Sequence, residues 1–257
     1  RIADGQVHFA DGWADLAGVD ASVTFQGNGF DMRGSGNLGG VSVPSFSAGI
    51  ARFDRPELAV RASGSGEAGN LLDLLRGSPL QQDHGATLQA LSASGPVQVA
   101  FALDRALYRN ESGRVSGTVQ LQGVALADKR WDVALEQVRG SAQYGNAGFQ
   151  ANELTAVMAQ APVQLALRAG AHVQQAGHAF EARLAGSQDI HALLQRAPDL
   201  AWLGEYLQGR SHWNVGVDVP LDAGAQGRPM AILALDSDLV GTRMLLPAPL
   251  DKTEAQP

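Results

Sequence analysis

The sequence predicts a mostly β fold, an antiparallel meander of short strands carrying two short helices. Three observations predict it: apolar and small or polar residues alternate with period two, turn-forming residues punctuate those windows, and landmarks recur at a fixed offset. Alternation matters because successive side chains of a strand point to opposite faces, so one face collects the apolar set.

Taken in order, Val7 with Phe9, Val19 to Phe25, and Leu58 with Val60 give weak strand signals. Val97, Val99, Phe101 and Leu103 give a clear one, followed by Val115, Val119 and Leu121, then Val163, Leu165 and Leu167. The clearest window is Trp213-Asn214-Val215-Gly216-Val217-Asp218-Val219, with Trp213, Val215, Val217 and Val219 on one face. Leu233 and Leu235 close the series weakly. Gly27-Asn28-Gly29 and Gly145-Asn146 are hairpin turn signals.

Two stretches read as helices. Asn70 to Arg76 carries Leu71, Leu72, Leu74 and Leu75 ahead of Pro79; Asp189 to Arg196 carries Ile190, Leu193 and Leu194 ahead of Pro198. Asn70 and Asp189 are candidate N-caps, and residues 200–207 read as an extension of the second helix. Leu71 and Ile190, Leu74 and Leu193, and Pro79 and Pro198 stand 119 positions apart (198 − 79). Val19 and Val138, Phe25 and Tyr144, and Gly29-Phe30 and Gly148-Phe149 share that offset. A period this long means a duplicated supersecondary unit, placed at residues 1–111 and 112–225, with a third unit starting at 226.

Composition narrows the function. Hydrophobic residues make up 45% and charged residues 18%, with 31 glycines in 257 residues, which suits sheets with tight turns and not disorder. A formal net charge of −7 argues against a phosphate-binding nucleic-acid surface. Without cysteine there is no disulfide framework, thiolate nucleophile or Cys-type zinc site. No apolar run reaches the roughly 18 residues of a membrane span. The start at Arg1 has no signal-peptide core, so the chain is expected to be an internal segment of a longer protein.

The motifs for catalysis are thin. Gly64-Ser65-Gly66-Glu67-Ala68-Gly69 matches the dinucleotide fingerprint, but the helix after it is short, the strands around it read as antiparallel, and the repeat partner Ala185 to Asp189 lacks the glycines. Turn glycines are the better reading. Six dispersed histidines form no metal motif, and His172 and His178 fall in a Gln/Ala/Gly-rich loop. Asn110-Glu111-Ser112, formally a glycosylation sequon, reads as an ordinary loop. No catalytic residue, cofactor or metal site is expected. The apolar faces remain, either packed as a closed core of a structural or adaptor domain or open as a ligand-binding groove.

A family resemblance favours the groove. Gly117 to Gly123, Val138 to Tyr144 and Gly148 to Asn152, the stretch Leu74-Leu75-Arg76-Gly77-Ser78-Pro79-Leu80, and Val219-Pro220-Leu221 resemble the recurring unit of the YhdP family of AsmA-like lipid-transport proteins. So does Ser237-Asp238-Leu239-Val240-Gly241 leading to Leu246-Pro247-Ala248-Pro249-Leu250-Asp251-Lys252. The resemblance implies a long curved antiparallel sheet, a U-shaped β groove with an apolar lining. It implies a periplasmic segment of an inner-membrane-anchored protein of a Gram-negative bacterium, with phospholipid as partner and transport between inner and outer membrane as function. Alternation alone names the expected lining: Val97, Val99, Phe101, Leu103, Val115, Val119, Leu121, Val163, Leu165, Leu167, Trp213, Val215, Val217 and Val219.

Overall fold

The computed structural model describes all residues except 10, 79–80, 110–112, 195–197, 222–230 and 257. Pro79, the 110–112 sequon and the expected unit boundaries at 111/112 and 225/226 lie outside the described residues. The mostly β, antiparallel fold class holds, in two compact units, Arg1–Gly148 and Phe149–Pro257.

The first unit runs β1 (Ile2–Val7), β2 (Leu16–Gln26), β3 (Gly29–Leu38), β4 (Val41–Ile50), β5 (Glu57–Glu67), α1 (Ala68–Arg76), α2 (Gln81–Ala90), β6 (Leu91–Ser94), β7 (Pro96–Ala106), β8 (Arg114–Asp128) and β9 (Val133–Gly145). Its sheet order is β1-β2-β3-β4-β5-β7-β8-β9, with β6 added to β8. Hairpins join neighbours except between β5 and β7, where both helices are inserted.

The second unit runs β10 (Gly148–Met158), β11 (Ala161–Gly170), β12 (His178–Asp189), α3 (Ile190–Leu194), a 3-10 helix (Pro198–Glu205), β13 (Leu207–Pro220), β14 (Ile232–Asp236) and β15 (Thr242–Met244). Its order is β10-β11-β12-β13-β14, with β15 also on β13. Again the helical insertion separates two paired strands, β12 and β13.

Local chemistry explains the helical insertions. Gly39 and Gly40 turn the β3–β4 hairpin at φ of 54° and 84°, where a Cβ is costly. A Cβ on Gly39 would stand 3.1 Å from Leu74 Cδ1 and one on Gly40 would stand 2.8 Å from Asn70 Nδ2, so this turn also leaves room for α1. Asn70 is therefore not the N-cap. Glu67 holds that position without a side-chain capping bond, its carboxylate accepting instead from the Gly95 N–H at 2.9 Å, while Asn70 Nδ2 donates to the Gly40 carbonyl at 3.2 Å. Asp189 does cap α3, its Oδ1 accepting the His191 N–H at 2.9 Å.

Helix α2 has no counterpart in the sequence reading. Its residues, QQDHGATLQA, show no apolar stripe and include a glycine. Arg76 ties it down, donating from Nε to the Leu88 carbonyl at 3.0 Å and from its guanidinium to the Leu91 carbonyl. Residues 200–207 do not simply prolong a helix: the 3-10 turn ends at Glu205 and Leu207 already starts β13. Phe9 falls beyond β1, and His178 opens β12 instead of lying in a loop. Gly64 and Gly66 sit inside β5, opposite Val99 and Val97. A Cβ on Gly64 would approach Val41 Cγ1 to 3.1 Å, so this glycine serves close packing.

Candidate apolar binding face

In the first unit the register aligns one apolar face across consecutive strands. Val97, Val99, Phe101 and Leu103 of β7 stand opposite Leu121, Val119, Gly117 and Val115 of β8. On the other side they meet Gly66, Gly64, Ala62 and Val60 of β5. The same face continues through Ala48 and Phe46 of β4 to Met32 and Gly34 of β3, and through Ala142 and Tyr144 of β9. At the end away from the helices it finishes in aromatics: Phe25 pairs with Phe30, whose ring lies 6.2 Å from that of Phe53, and Phe25 is 72% exposed.

Val97, next to the helical insertion, is 2% exposed, whereas Val99, Phe101, Leu103, Val115, Val119 and Leu121 are only partly buried. The apolar face is thus fully covered beside the helices and, apart from buried positions such as Ala142 and Ile50, only partly covered along the rest. Register shifts interrupt the β2–β3, β3–β4, β4–β5 and β8–β9 ladders, and such bulges bend strands and increase local twist.

The second unit repeats the pattern. Val163, Leu165 and Leu167 of β11 face Gly186, Leu184 and Ala182 of β12. These in turn face Trp213, Val215 and Val217 of β13, with Val219 opposite Phe180. Leu235 and Leu233 of β14 extend the rungs of Val215 and Val217. Val163 and Leu165 are buried, the four β13 residues partly buried, and Leu233 is 57% exposed at the strand edge. Every residue expected to line the face therefore shares its unit's apolar face, seven in each unit. The residues missed, such as Phe46, Val60, Ala62 and Leu184, sit in strands where Gly, Ala and Ser dilute the alternation.

The reverse face is polar in both units. In the first, Ser63, Ser65, Gln98, Ser116, Thr118, Gln120, Ser141 and Gln143 are exposed. Arg61 Nη2 meets Asp104 Oδ1 at 2.8 Å, and Arg61 Nη1 donates to the carbonyls of Val60 and Leu103 at 2.8 and 3.1 Å. The second unit reproduces this arrangement: Arg183 Nη2 lies 2.7 Å from Asp218 Oδ1, and Arg183 Nη1 donates to Ala182 and Val217 at 3.0 and 3.5 Å. An open depression of about 730 Å³ is bordered by Asn152, Arg183, Asn214 and Asp218 together with the apolar Leu154 and Ala234.

Glu181 lies on the polar side too, 2% exposed. Burial pushes its carboxyl up, but the N–H groups of Gln174 and Gln175, donating at 3.1 and 2.6 Å, and the Arg183 and Arg168 cations outweigh burial and hold it below the usual carboxylate range.

One polar feature lies on the apolar face. Gln188, 1% exposed, is two residues beyond Gly186 and faces Ser211, so Trp213 is its diagonal neighbour. Gln188 Nε2 and Trp213 Nε1 are both buried without a hydrogen-bond partner. Among the described residues no cluster of His, Cys, Asp and Glu is arranged to hold a metal, and no helix is long and apolar enough to cross a membrane.

Fold and face together define an antiparallel β protein whose two units each present an apolar surface backed by a polar one. The family described as YhdP protein matches residues 1–257, and the chain belongs to that family. It is similar to the intermembrane phospholipid transporter YhdP of Escherichia coli (strain K12), at 28% identity over 261 residues. That match covers 100% of this chain and 20% of the relative, so the chain spans about one fifth of the transporter's length. No solved structure matches.

Proposed function

We propose that this chain is a non-catalytic segment of a periplasmic lipid conduit, holding phospholipid acyl chains on its apolar β face for transport between inner and outer membrane. The observation that carries the reading is the half-covered apolar face, continuous from strand to strand within each unit and backed by a polar face. Removing a few hundred Å² of apolar surface from water contributes several kcal/mol at about 25 cal/mol per Å², without any specific polar contact. Binding of that kind is reversible and tolerant of head group, as a conduit requires.

The reading includes a duplication of the lining unit, supported by the recurrent Arg–Asp arrangement. Arg61 and Arg183 stand 122 apart (183 − 61), as do the first residues of the helices, Ala68 and Ile190, and the buried Leu72 and Leu194, so this alignment sets the helices three positions away from the 119-residue offset that pairs Leu71 with Ile190. Asp104 and Asp218 stand 114 apart (218 − 104), because the helical insertions differ in length.

Native mass spectrometry of the chain purified from bacterial envelopes, followed by organic extraction, tests the reading. Phospholipid at defined stoichiometry, lost in F101D and V217D variants that keep a β-type circular dichroism spectrum, is the expected result. An empty protein that takes up no phospholipid from vesicles would overturn it in favour of a closed structural domain.

A further inference from the structure

The buried pair Gln188 and Trp213 is an unusual feature to find on an otherwise apolar face. A buried donor without a partner costs about 1–3 kcal/mol, so native proteins rarely keep one, and here two stand as diagonal neighbours. Among the described residues, neither donor has a hydrogen-bond partner. Ser211, opposite Gln188, accepts from Thr242 Oγ1 at 3.0 Å and makes no bond with Gln188 Nε2. Ile190, Leu194 and Leu207 form a buried cluster against which Trp213 packs. The matching rungs of the first unit contain no polar side chain: Gly66 stands opposite Val97 and Gly64 opposite Val99.

Both donors are neutral, an amide and an indole, in a desolvated apolar setting. Such a site disfavours a charged phosphate, which would lose its hydration without a counter-cation, and suits an uncharged acceptor on a largely apolar molecule. We propose that Gln188 Nε2 and Trp213 Nε1 donate to the acyl ester carbonyl of a bound phospholipid. They thereby set the lengthwise position of a lipid whose chains lie along Leu184, Val215 and Val217. The inference rests on the acyl-chain reading above and adds to it a fixed stopping point in the second unit.

The test compares the intact chain's affinity for a diacyl phosphatidylethanolamine and for its dialkyl ether counterpart, which has the same tails and head group but no carbonyl. Wild type is expected to prefer the ester lipid by about fivefold or more, the equivalent of at least one neutral hydrogen bond. Q188L and W213F, which remove the donors and keep apolar bulk, are expected to bring that ratio close to one. Equal binding of both lipids by wild type would overturn the carbonyl assignment while leaving the acyl-chain reading intact. Failure to bind either lipid would overturn the acyl-chain reading itself.

Discussion

In the first unit the rungs nearest the helical insertion are Gly64–Val99 and Gly66–Val97; in the second they are Gly186–Trp213 and Gln188–Ser211. The backbone frame is the same, a strand entering a helix and pairing with the strand that leaves the insertion. One end is wholly apolar and smooth, and the other carries a large aromatic and buried donors. The reverse faces differ in the same sense. Arg61 and Asp104 form an exposed pair, whereas Asp218 is buried and Glu181, two positions before Arg183, is a buried carboxylate where the first unit has Ala59. The same strand–helix–strand frame thus carries two surfaces of different polarity, set by the side chains on the corresponding rungs.

The difference can be broken or sharpened by substitution. The largest effect is expected for V97D, which places an unpaired carboxylate at a fully covered position and should cost about 4 kcal/mol or more, or prevent folding. V217D, at a partly open position, should leave the fold measurable in urea unfolding while reducing phospholipid uptake at least tenfold. R183A should follow, at about 2 kcal/mol, because it strips a cation from the buried Asp218 and from the neighbourhood of Glu181. The equivalent R61A removes an exposed pair and should cost less than about 1 kcal/mol. Chemical denaturation of the two arginine variants side by side checks both values.

The smallest effect concerns pH. Glu181 has a depressed carboxyl in the folded protein, so its contribution is fully present above the ordinary carboxylate pKa and is lost as pH falls through the lower folded value. Thermal unfolding of wild type should therefore weaken more steeply than that of E181Q as pH drops below about 4.5. Parallel profiles would show that Glu181 adds no pH-dependent stability.

Much of this was legible in the sequence, for reasons that particular residues illustrate. Strands β7, β8, β11 and β13 alternate Val, Leu and Phe with polar or small residues, so which of their residues share one apolar face could be named without a structure. Strands β3 to β5 carry glycine and alanine at several positions of the same face, so the periodic signal fades although the register is retained. Helix α2 has no apolar stripe and depends on Arg76, a tertiary tie that no local window contains. The Gln188–Trp213 pair was hidden because it depends on register: residues 25 positions apart (213 − 188) become neighbours only when Gly186 is set opposite Trp213.

Which face meets the lipid is the central claim, and photo-crosslinking tests it most directly. A phospholipid with a photoreactive group in one acyl chain would be bound to the chain, irradiated, and the modified residues mapped by mass spectrometry. Crosslinks at Val99, Phe101, Val119, Val215 and Val217 are expected, with none at Ser63, Gln98 or Thr118. Labelling of the polar face, or uniform labelling of both faces, would contradict the account.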